Sequence, residues 1–206
     1  LTQQYTRKAI KETFIRMLNE KPLDKITVKD LVAECEINRN TFYYHYQDIY
    51  ALIKEIFQTE LERVIGDYND TLSWEDSFLE ATKFAMENKK AIYHVYNSVQ
   101  RDVLEEYLYG VAGNIMMRYV ERASRSFPAS QRDQKLIATF YQSALTCMVM
   151  NWISSGMKQD PEMIIGRIGE LFDGNIAMSL QRSVERPDTR ESLNSKQPLK
   201  ADMQVD

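Results

Sequence analysis

The nine residues NRNTFYYHY, positions 38 to 46, gather three tyrosines, an arginine and one of the two histidines in a chain of 206 residues. An imidazole beside phenols can move protons. A guanidinium among hydroxyls and amides can grip phosphates and base edges, and aromatic rings can also simply fill a core. Catalysis would need a partner for His45, and no serine, cysteine or carboxylate stands at a spacing that makes a nucleophilic pair with it.

Helical periodicity divides the cluster. At 100° per residue Phe42 and Tyr46 share a side with Ile37 behind them, while Asn40, Thr41 and Tyr44 face the other way, flanked by Tyr43 and His45. Phe42 and Tyr46 are therefore expected to anchor the helix. The outward set offers hydroxyls, an amide, an imidazole and, from the first turn, the Arg39 guanidinium. These donors suit the major groove of DNA, where Arg grips guanine and Asn adenine, while hydroxyls and helix N-terminal amides hold phosphates. The plainer readings are a three-helix bundle with an idle polar face, and a His45 whose hydrogen bond merely stiffens the motif.

The elements that position this face can be read upstream. Ile10, Phe14, Met17 and Leu18 form one apolar stripe, which predicts a helix from about Gln4 to Asn19, ended by Lys21, Pro22 and Leu23. Thr27 and Asp30 have capping-box spacing, and the helix they open buries Val28, Leu31 and Val32 and stops near Cys35. Only Glu36 and Ile37 then precede Asn38, whose side chain can cap a third helix. Two short helices joined so tightly, after a longer one, outline a helix-turn-helix.

Charge is divided in the same way. Residues 1 to 54 hold nine Lys and Arg against seven Asp and Glu, a net of plus 2, whereas the remainder holds 17 against 23, a net of minus 6. The basic end is the end with the candidate reading helix. With 7 Gly and 5 Pro, composition favours an all-α protein. Cys35 and Cys147 lack metal-type spacing. There is no metal motif, glycine-rich phosphate loop or acid–base pair, so neither an enzyme on a helical bundle nor a bound cofactor is expected. Arg7, Lys8, Lys11 and Glu12 interrupt any leading apolar run, and two cysteines so far apart make a reduced cytoplasmic setting the default expectation.

Beyond Asp48 the pattern is helix after helix, about nine in all. A fourth runs from about Asp48 to Gly66 with Leu52, Ile56 and Leu61 inside. Further starts lie at Ser73 with Asp76, Ser130 with Asp133, and Asp160 with Pro161, and a long helix spans about Val103 to Ser124. The expected organisation is a DNA-binding head over 1–47, a helical effector-binding and dimerisation body over 48–183 with the fourth helix as connector, and a disordered tail over 184–206. The charge-free run 136–157 is long enough for a bilayer, but its many polar residues and the lack of a second such run argue against a span; a helix apolar nearly all round is expected to be buried by its own body and a partner subunit.

The stretch ITVKDLVAECEINRNTFYYHYQDIYALI resembles the DNA-binding segment of the TetR family of bacterial transcriptional regulators, whose signature is T-F-Y, a further residue, His or Asn, and an aromatic. WISSGMKQDPEMI, residues 152 to 164, is similar to the branch common in Firmicutes that includes regulators of dihydroxyacetone kinase genes. The resemblance implies phosphate contacts from Thr27 and Lys29, a groove-facing set of Arg39, Asn40 and Thr41, backbone contacts from Tyr43 and His45, and a base edge or thymine methyl for Tyr44. It also implies that the last two helices of each subunit form a four-helix dimer interface; Gly166 and Gly169 would permit close approach there, or are equally tolerated surface glycines. Glu36 departs from the family's usual Gly at the turn, and Ile49 from a Lys that often starts the fourth helix.

One recognition helix reads only a few base pairs, so the expected regulator is a homodimer on a palindromic operator in double-stranded DNA, with no membrane partner. Its expected action is repression relieved by an unknown small-molecule or protein effector. Tyr96, Tyr107, Met116, Met148 and Trp152 are candidate pocket residues, with room left by Gly110 and Gly113, although such residues at helical spacing also simply make core. A body switched by a partner protein, and a helical adaptor without DNA affinity, are the competing readings.

Overall fold

A computed structural model describes residues 2–67 and 73–186, and among these every regular element is helical. The helices are α1 (Thr2–Glu20), α2 (Val28–Glu34), α3 (Arg39–His45), α4 (Ile49–Gly66), α5 (Trp74–Glu87), α6 (Lys89–Tyr96), α7 (Arg101–Ala123), α8 (Gln131–Ser154), α9 (Pro161–Phe172) and α10 (Asn175–Glu185), with a 3-10 turn at Leu23–Lys25. Gly174, at φ 71°, makes the corner that separates α9 from α10. Helix α10 reaches Glu185, two residues into the stretch assigned to the tail, and residues 187–206 lie outside the described residues.

The head is built as its pattern dictates. Ile10, Phe14, Met17 and Leu18 of α1 are buried against Leu31, Val32, Phe42 and Leu52. Thr27 caps α2 by accepting from the Asp30 amide, and its own backbone amide donates to the Asp30 carboxylate, a complete capping box. The α2–α3 turn is a Schellman motif. The Ile37 amide donates to the Val32 carbonyl at 3.0 Å and the Glu36 amide to that of Ala33 at 3.2 Å. This closure requires a left-handed residue after the helix, and Glu36 supplies it at φ 54°.

The head is not a detached unit. Helix α1 packs along α6, and the Asn88 side chain makes no cap bond to the start of α6. Asn19 of α1 compensates: its side-chain oxygen accepts from the Ala91 amide at 3.2 Å, and its nitrogen donates to the Asn88 side chain at 3.0 Å. His94 Nδ1 lies 2.6 Å from the Leu18 carbonyl. The foreign cap makes the end of α1 part of the body's hydrogen-bonding.

In the body α7 and α8 form the principal pair. The space beside Gly113 is taken by Gln142, which donates to the Tyr109 carbonyl at 2.9 Å, and Gly110 abuts Leu61, so neither glycine leaves the room expected of it. Gly169 receives the Glu75 side chain of α5, whereas Gly166 faces open space. Helix α8 is long and apolar enough to cross a bilayer, but it buries Ala138, Leu145 and Ile153 in the core. Its other side is open, with Leu136 67% and Phe140 68% exposed.

Candidate nucleic-acid interface

Helix α3 begins at Asn38, whose side chain accepts from the Thr41 amide at 2.8 Å, and ends one residue before the buried Tyr46. Phe42 is fully buried and packs edge-on against Tyr43 and tilted against Tyr46. With that side fixed, the seven-residue helix presents the opposite one. Arg39, Asn40, Tyr43 and Tyr44 are exposed, the tyrosines by 55% and 71%, and Thr41 and His45 are half-buried at its flanks.

These six side chains occupy one short helix, and the two upstream candidates lie at the start of α2, Thr27 as its N-cap and Lys29 in its first turn. Lys29 is exposed. The Thr27 hydroxyl is engaged with Asp30, donating to its carboxylate at 2.9 Å, and that hydrogen bond leads the causes that hold the Asp30 carboxyl below its ordinary range. The Thr41 hydroxyl likewise donates to Asn38 at 3.1 Å. Both can still accept, but their protons are committed within the motif. Tyr44 and His45 meet edge to face at 5.0 Å.

Two further groups join the site without being foreseen in the sequence. Gln3 of α1 donates its amide to the Tyr44 hydroxyl at 3.1 Å, and Glu55 of α4 collects Arg7, Lys11 and Tyr46. Burial alone would push the Glu55 carboxyl up; the bonds from Lys11 and Arg7 outweigh it and hold it below its usual value. Gln3 lies 41 residues from Tyr44, beyond any local pattern. The i, i+4 spacing of Arg7 and Lys11 is a visible sign that both point one way. Ile49 is buried at the start of α4, and the next residue, Tyr50, is exposed.

The proposed pocket residues are not gathered into one cavity. Met148 and Trp152 line a cleft of about 30 Å³ with Phe78, Leu145 and Ile165, between α5, α8 and α9. Tyr107 lines a separate one of about 60 Å³ between α4 and α7 and stacks on Phe57 at 5.0 Å. Met116 is fully buried, and Tyr96 carries the Arg101 guanidinium over its ring at 4.3 Å. A cleft of 30 Å³ holds about one water.

Known proteins share both parts of this architecture. Residues 12–56 match the family model described as bacterial regulatory proteins, tetR family, and residues 73–174 match that of a transcriptional regulator C-terminal region. The HTH-type dhaKLM operon transcriptional activator DhaS of Lactococcus lactis subsp. lactis (strain IL1403) is 27% identical over 84 residues, 41% of this chain and 45% of that protein. The match thus spans less than half of that relative's length. The solved structure of a dihydroxyacetone kinase operon activator DhaS superposes with a TM-score of 0.71 at 19% identity, covering 84% of this chain and 97% of that one, a likeness of fold.

Proposed function

As the chain belongs to the TetR family of bacterial transcriptional regulators, which are DNA-binding proteins and not enzymes, we propose that it acts as a cytoplasmic homodimer on a palindromic operator, with an affinity changed by an effector bound in the body. The observation that carries this reading is the division of α3: Phe42 and Tyr46 hold it down, and Arg39, Asn40, Tyr43 and Tyr44 stand clear. Arg39 and Asn40 serve base edges, Tyr43, His45, Thr27 and Lys29 the backbone, and Tyr44 a base edge.

The second copy has a surface to meet. Leu136 and Phe140, one turn apart on α8, are joined in exposure by Met178 and Val184 of α10. Exposed apolar area of this kind supports burial against another subunit. A small effector at the Met148–Trp152 cleft has to open it, because the closed volume is water-sized. Opening between α5, α8 and α9 moves helices that set the distance between heads, which is the coupling an effector needs.

Activation is a second reading for the sign of regulation, favoured because both similar proteins are named activators. An operator overlapping the promoter supports repression, and one upstream of it supports activation. The first test of the whole proposal is a salt titration on random duplex DNA. Binding that falls steeply with salt supports it, and absence of binding at low salt leaves a helical adaptor.

A further inference from the structure

Tyr44 is 71% exposed, and its hydroxyl is held from outside α3. Gln3, in the first turn of α1, donates its side-chain amide to it at 3.1 Å, and His45 meets its ring edge to face at 5.0 Å. An exposed tyrosine otherwise samples its rotamers freely, and ordering it on binding costs affinity. Here two neighbours have already ordered it. The bond also has a direction. A phenol carries one proton and accepts through the lone pairs of its oxygen, and the Gln3 N–H takes one of these. The proton stays free for a partner outside the protein, and the claim on the oxygen biases Tyr44 toward donating.

We propose that Gln3 is a specificity-determining positioning residue. By donating to the Tyr44 hydroxyl it presets that side chain as a hydrogen-bond donor, selecting an acceptor on the DNA such as a purine N7, guanine O6 or thymine O4 over the amino groups of adenine and cytosine. This rests on the reading of α3 as the DNA-contacting helix. It adds that the base preference at the position Tyr44 meets is set by a residue on another helix.

The test is a double-mutant cycle in DNA binding, using the duplex that the wild-type chain selects from random sequence and that duplex's single-base variants. Gln3→Ala and Tyr44→Phe are each expected to weaken binding about threefold to tenfold, a loss of the size that follows from one ordered side chain and one hydrogen bond. The double variant is expected to bind no more weakly than Tyr44→Phe alone. Both single variants are expected to relax discrimination at the same base pair, with melting temperatures unchanged, since both side chains lie at the surface. Losses that multiply in the double variant, or a Gln3→Ala protein that discriminates like the wild type, would overturn the proposal. Failure of the wild-type chain to select any duplex is a different outcome, one that overturns the DNA-binding reading beneath it.

Discussion

The phenol of Tyr46 donates to the carboxylate of Glu55 across 3.2 Å, tying the residue that ends α3 to α4. Arg7 and Lys11 of α1 reach the same carboxylate, Lys11 at 2.7 Å. The end of α3 and two further helices therefore meet at one charge.

Glu55 makes this junction sensitive to acid. Its folded-state pKa lies below the ordinary value, so its contribution is fully present above about pH 4.3 and is lost as pH falls through the lower folded-state value. Glu55→Gln is expected to lower the melting temperature by a few degrees at pH 7, about 1 kcal/mol for a partly exposed cluster. The difference from wild type should shrink in scans below pH 4. A difference that persists undiminished there would show that packing, not charge, is what Gln disturbs.

The division of α3 into an anchored side and a presented side separates stability from binding. Phe42→Ala is expected to cost about 3 to 5 kcal/mol and unfold the head. Arg39→Ala and Tyr43→Ala should weaken operator binding while moving the melting temperature by no more than about two degrees, as surface substitutions do. Equal loss of stability in all three would mean that the exposed set is core.

Glu36 carries a left-handed backbone that favours glycine, at φ 54°. Glu36→Gly is expected to stabilise the protein by about 1 kcal/mol and raise the melting temperature by several degrees, with the turn unchanged. A fall would mean that the flexibility Gly adds to the unfolded chain outweighs the strain it removes.

Much of the head is legible in the sequence because its signals are local. The Thr27–Asp30 box, the Asn38 cap and the stripe from Ile10 to Leu18 all lie within a few positions of what they determine. What escapes is contact between distant segments. Gln3 meets Tyr44, and Asn19 caps α6 in place of Asn88, at separations where no periodicity operates. The glycines of α7 fail as markers of a cavity for a related reason. A missing Cβ admits whatever side chain faces it, and only the packed fold reveals that Gln142 and Leu61 do.

The open side of α8 carries the dimer proposal. Phe140→Glu puts a charge on a residue that is 68% exposed in the single chain, so the fold of each subunit should survive. Sedimentation is expected to shift from twice the chain mass to the chain mass, with DNA affinity falling sharply as the second reading head is lost. A retained dimer would place the interface elsewhere.

The most direct measurement of the central claim is selection of bound fragments from a pool of random duplex DNA by the purified full chain at low ionic strength, followed by sequencing. The account predicts recovery of one inverted repeat, with half-sites about one helical turn or more apart, and its loss from the Arg39→Ala protein. Recovery of no sequence above background, from a chain that sediments as a monomer, would contradict it.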